Sequence, residues 1–60
     1  MKKIPNEKAE RLENKLQECL NMVEGFEEQY GDECIMGSNT ANRINDILDS
    51  IGAFVINSLQ

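Results

Sequence analysis

The sequence lacks histidine and tryptophan, and it has only two cysteines and one proline in 60 residues. Without histidine there is no Ser-His or Cys-His dyad for nucleophilic catalysis and no histidine-based metal site. Two cysteines are too few for a disulfide-rich secreted scaffold or for a zinc site with four close ligands. A glycine-rich phosphate-binding loop is also missing. We therefore expect a protein that is not an enzyme and that needs no metal or other cofactor.

Long apolar segments are missing as well, and the longest apolar cluster covers residues 53–56. Such a cluster is far too short to span a bilayer. Near the start of the chain, Pro5 and charged residues follow Lys2 and Lys3 where a signal peptide would be apolar. We expect a cytoplasmic protein with reduced thiols and no membrane partner.

Basic residues are few, because 6 of them stand against 11 acidic residues, and the net charge is -5. This balance argues against direct binding of nucleic acid. The charge is also unevenly distributed. Residues 1–15 carry five basic and three acidic side chains, whereas residues 16–33 carry six acidic side chains and no basic one. A separation of this kind can steer the approach of a partner.

Apolar residues in the first half of the chain follow a heptad pattern, with spacings that alternate between three and four. This pattern is typical of a helix with one apolar stripe and predicts a helix over about residues 6–30. Pro5 or Asn6 is expected to mark its start, since proline suits the first turn and asparagine can cap. Gly31 is expected to mark its end. The stripe consists of Ala9, Leu12, Leu16, Cys19, Val23, Phe26 and Tyr30.

A second helix is predicted after an aperiodic loop over residues 31–39. Ser38, Asn39 and Thr40 are all suitable capping residues, so we expect this helix to run from about residue 40 to residue 59. Its apolar residues cover an arc of about 140°, which is wider than contact with a single neighbouring helix requires. They are Ile44, Ile47, Leu48, Ile51, Phe54, Val55 and Leu59.

Together these segments predict an all-α fold with a single domain over residues 1–60, a two-helix antiparallel hairpin. A hairpin has one inter-helix seam, and each large apolar side chain left in water would cost roughly 1.5–3 kcal/mol. We therefore expect a homodimer, most simply a four-helix bundle of two hairpins. The core and dimer residues are predicted to be Leu12, Leu16, Cys19, Val23, Phe26, Ile44, Ile47, Leu48, Ile51, Phe54, Val55 and Leu59.

The orientation of the two copies stays open at this level. The basic start and acidic end of the first helix favour an antiparallel pair. An antiparallel two-stranded pair would, however, bring Glu13 against Glu27 of the other copy, whereas a parallel pair would bring Lys8 against Glu13. Exposed pairs contribute about 0.5 kcal/mol each and do not decide between the two.

The densest acidic cluster lies at the end of the first helix and in the loop. Glu24 and Glu28 repel each other at i,i+4 spacing, near a helix C-terminus where negative charge is unfavourable. The cluster is a solvated end, a docking surface for a basic partner, or a divalent-cation site, although it lacks the alternating ligands of a calcium loop. The neighbouring apolar loop residues either plug the end of the bundle or anchor a partner. The candidate partner-binding residues are Glu24, Glu27, Glu28, Asp32, Glu33, Ile35 and Met36.

These observations favour a non-enzymatic small acidic protein that self-associates and acts by binding another, unidentified protein. Its size and acidity are typical of regulators or inhibitors, including those encoded by bacteriophages and other mobile elements. Three alternatives stay open: an inhibitor that mimics nucleic acid with its acidic segment, a structural subunit of a larger assembly, and a binder of a nucleotide-like small ligand. The last would use the basic residues Lys2, Lys3, Lys8, Arg11 and Lys15.

Overall fold

The computed structural model describes residues 2–60, and in this part of the chain it contains two helices and no strand. Helix α1 covers Asn6–Tyr30 and helix α2 covers Ser38–Leu59. Residues 31–37 form the loop between them. The predicted all-helical fold is confirmed, and the chain is a two-helix hairpin.

Helix α1 begins immediately after Pro5, which takes the N-cap position with φ -56° and ψ 140°. The Pro5 carbonyl oxygen accepts hydrogen bonds from the backbone N–H groups of Lys8 and Ala9 at 3.0 and 3.1 Å. The helix starts at residue 6 as expected, but the expected roles are exchanged, since Pro5 takes the cap position and Asn6 lies in the first turn. Asn6 does not cap the helix, because its side-chain amide donates to Glu10 Oε1 at 3.1 Å instead.

Gly31 ends helix α1, as predicted from the tolerance of glycine for positive φ. Its φ is 99° and its ψ is 158°, and its N–H donates to the carbonyl oxygen of Glu27 at 2.9 Å. Most residues would be strained in this conformation. The chain therefore leaves the helix axis at this position and enters the loop.

Helix α2 begins at Ser38, two residues before the expected start, so the predicted loop over residues 31–39 was too long. Gly37 takes the N-cap position with φ -58° and ψ 139°, and its carbonyl oxygen accepts from the Ala41 N–H at 2.9 Å. Glycine is accepted at an N-cap without any side-chain hydrogen bond. The expected capping residues consequently lie inside the first turn, where the Thr40 hydroxyl accepts a hydrogen bond from Arg43 at 3.2 Å.

The two helices run in opposite directions without packing against each other. No Cα atom of α1 lies within 8 Å of a Cα atom of α2. Helices in contact have axes 8–10 Å apart, and their facing Cα atoms then come closer than this limit. The hairpin measures 44 × 21 × 16 Å and its inter-helix seam is open in the single chain.

Because the seam is open, none of residues 2–60 is buried. Among the residues predicted for the core and dimer interface, only Leu16 and Ile51 are half-buried, and the others are exposed. A chain of this size needs a staple or a partner when it cannot assemble a core of its own. The single chain therefore leaves its apolar faces uncovered.

Candidate interaction surfaces

Three surface features of the hairpin bring charged, apolar or thiol side chains together. We call them the inter-helix groove, the acidic loop end and the tip cleft. The groove lies between the helices at the end where α1 starts and α2 finishes. The acidic loop end and the tip cleft lie at the opposite end of the hairpin, around the loop.

The inter-helix groove has a volume of about 1300 Å³. Its apolar walls come from α1 and from the last turns of α2, namely Leu12, Leu16, Leu20, Phe54 and Val55. Four of these were predicted as core or dimer residues. Leu20 was not in that set, although it directly flanks the heptad stripe and widens the apolar face.

Three lysines, Lys2, Lys3 and Lys8, also line the groove at the start of the chain. Within residues 2–60 only Lys15 forms an ion pair, at 3.5 Å from Glu18. Lys2, Lys3 and Lys8 therefore form no ion pair within the described residues, although Glu13 also lines the groove. Composition located this basic end, but only the fold shows that it adjoins an apolar groove.

The acidic loop end consists of Glu24, Glu27, Glu28, Asp32 and Glu33, and all five side chains are exposed. The last turn of α1 carries no basic residue that would balance them. On the heptad pattern Glu24 and Glu28 point away from the apolar stripe, whereas Glu27 flanks it. The acidic loop end therefore has an outward side and a side next to the apolar face.

The tip cleft, of about 320 Å³, lies next to the acidic loop end and is lined by Phe26, Tyr30, Cys34 and Ile35. The rings of Phe26 and Tyr30 lie 6.5 Å apart with 51° between their planes. The Cys34 thiol donates a weak hydrogen bond to the Phe26 carbonyl oxygen at 3.9 Å, where the loop comes next to the helix. Ile35 is nevertheless 95% exposed, and Met36 is also exposed.

The sequence did not assign Tyr30 or Cys34 to a site, and it assigned Phe26 to the core rather than to a cleft. The heptad stripe ends at Tyr30, close to the apolar loop residues. This proximity was the only feature of the sequence that could have indicated a cleft here. The hydrogen bond that joins the loop to α1 spans eight residues. Helical periodicity contains no information about such a contact.

The described part of the chain has two free, exposed thiols, Cys19 and Cys34. Within residues 2–60, no three or more cysteine and acidic side chains are grouped closely enough to hold a metal ion. Neither α1 nor α2 has the length and apolar character that a membrane span requires. What these surfaces offer is a combination of apolar contact and charge.

No protein-family model, characterised protein or solved structure matches this chain. The two-helix hairpin and its three surfaces are accordingly the basis of the functional argument.

Proposed function

We propose that this protein is a non-enzymatic interaction protein that self-associates through its apolar helix faces and acts by binding another protein through the acidic loop end. The exposure of the apolar faces of both helices carries this proposal. A single chain with no core is marginal, and contact between chains removes the apolar surface from water. In the cytoplasm, where we place the protein, Cys19 and Cys34 stay reduced.

The acidic loop end supports the second part of the proposal. Its carboxylates are exposed, and the adjacent Ile35 presents nearly its whole side chain to solvent. Interfaces combine a desolvated apolar anchor with charges that select and orient the partner. A partner surface with basic residues around an apolar pocket fits this combination.

Reversal of charge on the outward side of the acidic loop end tests partner binding. The tagged protein and the variant Glu24→Lys/Glu28→Lys are used to capture proteins from the cells that encode it, with identification by mass spectrometry. Asp46→Lys/Asp49→Lys is the matched control, because it makes the same charge change on the polar face of α2, away from the acidic loop end. We expect one protein to be retained by the unmodified chain and the control and lost from the first variant. Equal retention by all three chains contradicts the role of the acidic loop end.

A second candidate function follows from the three lysines beside the inter-helix groove. An apolar groove with basic residues at one end suits an amphipathic anion, such as a nucleotide-like ligand with a phosphate group. A thermal-shift measurement with nucleotides tests it. A rise in melting temperature that Lys2→Gln/Lys3→Gln abolishes supports this candidate, and unchanged melting in every nucleotide removes it.

A further inference from the structure

The area that the hairpin leaves exposed indicates what covers it. The chain has a mass of 6.8 kDa and exposes 5927 Å². A compact folded monomer of that mass exposes about 4,000 Å². The excess of about 2,000 Å² lies in the range of roughly 1,000–2,500 Å² that each partner buries in permanent protein interfaces. Another helix is required to cover such an area, because a small ligand in the groove leaves most of it in water. The arc of α2 is too wide for α1 alone to cover, so a helix of a second chain is needed as well.

The inter-helix groove is where a helix of a second copy fits. The groove has walls on both α1 and α2, and the helices stand farther apart than packed helices do. An α1 helix from a second copy, seated there, lies against both walls at once. Under two-fold symmetry each α1 occupies the groove of the other copy, so the same residues serve on both sides of the contact.

The charges at the two ends of the hairpin determine the orientation. Lys2 and Lys3 lie at the groove end, and Asp32 and Glu33 lie in the loop at the other end. Because α1 alone spans about 37 Å, these groups cannot meet within one chain. An antiparallel arrangement brings each lysine end against the acidic loop end of the other copy. A parallel arrangement places like charges together at both ends.

The heptad stripe is compatible with the antiparallel arrangement. Antiparallel helices bring a-type positions against d-type positions, which pairs Leu12 of one copy with Val23 of the other and Leu16 with Cys19. The same alignment, extended past the ends of the helices, brings Lys3 of one copy towards Asp32 of the other. The stripe and the end charges therefore select one register.

Flanking charges alone left the orientation open because Glu13 of one copy approaches Glu27 of the other. That comparison treated α1 as half of a two-stranded coil. In the hairpin, α2 lies beside α1, and Lys2, Lys3, Asp32 and Glu33 lie outside the heptads altogether. Two-fold symmetry repeats the Glu13–Glu27 approach twice, once on each side of the dimer. Each end of the dimer, however, brings two lysines against two acidic residues, so the attractive contacts outnumber the repulsive ones.

We propose that a second copy of this chain fills the inter-helix groove in the antiparallel orientation, with the lysine end of each copy against the acidic loop end of the other. This inference rests on the self-association in the proposed function and adds its geometry. In this arrangement Asp32 and Glu33 lie against the lysine end of the other copy. It leaves Glu24 and Glu28, on the outward side of α1, for the other protein.

Charge reversal at each end tests the orientation by sedimentation equilibrium at low salt. Lys2→Glu/Lys3→Glu and Asp32→Lys/Glu33→Lys are each expected to raise the dimer Kd by about tenfold or more. The chain that carries all four substitutions regains the Kd of the unmodified protein, because both ends are complementary again. Asp46→Lys/Asp49→Lys, on the polar face of α2, is the control and leaves the Kd unchanged. Equal Kd values for the unmodified chain and both end variants overturn the antiparallel contact.

Cross-linking gives an independent readout. A chain with Cys19→Ala and Ile4→Cys has one thiol at each end of the hairpin, and a short bismaleimide joins thiols that lie close together. We expect links between position 4 of one copy and position 34 of the other. Links that join position 34 to position 34 overturn the orientation while self-association stands. A chain that stays monomeric at all concentrations overturns self-association itself.

Discussion

The Cys34 thiol lies 3.9 Å from the carbonyl oxygen of Phe26, to which it donates, so the loop folds back on the last two turns of α1. The contact is made with backbone, and the apolar side chain of the next residue, Ile35, remains 95% exposed. The loop thus lies next to α1 without being covered. An apolar side chain that is positioned but exposed, beside a row of carboxylates, is the feature that makes this end of the hairpin a candidate binding surface.

The stability of the hairpin is predicted to depend on protein concentration. The single chain buries none of residues 2–60, so under the proposed self-association its helices gain their stability from contacts between copies. Dilution from about 100 µM to about 0.1 µM is expected to lower both the melting temperature and the helix content. Circular dichroism during thermal unfolding measures both quantities. Identical melting curves over this range contradict the prediction.

The two cysteines are predicted to differ in reactivity once the protein self-associates. Both thiols are exposed in the single chain. Cys19 lies on the heptad stripe, which the second copy covers in the proposed dimer, whereas Cys34 lies in the loop at the tip. An aromatic disulfide reagent should therefore modify Cys34 at every concentration and Cys19 only in dilute protein. Equal rates for the two thiols in concentrated protein count against burial of the stripe.

The substitution Gly25→Ala is predicted to stabilise the protein. Gly25 lies in the interior of α1, and a Cβ atom added there would meet nothing within 4 Å. Alanine in a helix interior is favoured over glycine by about 1 kcal/mol. Chemical denaturation should show a gain of that size. A loss instead reveals that another backbone approaches Gly25 closely in the assembled protein.

The substitution Gly31→Ala is predicted to have the opposite sign. Space is equally free around this residue, but its φ of 99° is a conformation that side chains disfavour. Residues held in such regions cost about 1–3 kcal/mol, so we expect a loss of that order in the same denaturation experiment. Comparison of Gly25→Ala with Gly31→Ala separates the effect of backbone conformation on stability from the effect of steric space, because both sites have room for a Cβ atom. A neutral Gly31→Ala shows that the end of α1 can rearrange.

The substitution Glu28→Lys is predicted to stabilise α1. It removes the repulsion from Glu24, adds an i,i+4 attraction, and places a positive charge near the helix C-terminus, for a gain of about 0.5–1 kcal/mol. Glu10→Lys is the control near the other end, where an acidic residue is favourable and accepts a hydrogen bond from Asn6. It should lower helix content in circular dichroism. If both variants change helix content in the same direction, the interaction of these charges with the two ends of the helix does not explain the result.

If Glu28→Lys stabilises the helix and also belongs to a variant that loses its partner, the carboxylate is kept at a cost in stability. That outcome favours a functional role over a solvated surface. Stabilisation with unchanged partner binding, in contrast, leaves Glu24 and Glu28 with a role in solubility alone.

The local elements could be read from the sequence because their causes lie within a few residues. The heptad spacing from Ala9 to Tyr30 predicts α1, and Pro5 and Gly31 mark its ends through backbone conformations that these residue types favour. The start of α2 was placed two residues too late. Several capping residues follow one another there, and the preceding Gly37 adopts the cap conformation without a side-chain hydrogen bond.

The sequence by itself determined two amphipathic helices, their apolar faces, and the separation of basic and acidic ends. Only the tertiary structure decided that the helices do not close on each other, that lysines and leucines share a groove, and that Cys34 lies next to the Phe26 carbonyl of α1. The reason is physical: helix formation depends on hydrogen bonds and side chains three or four positions apart. The distance between two helices depends instead on how much apolar surface each helix has and on which neighbour covers it. The arc of α2 is too wide for α1 alone to cover.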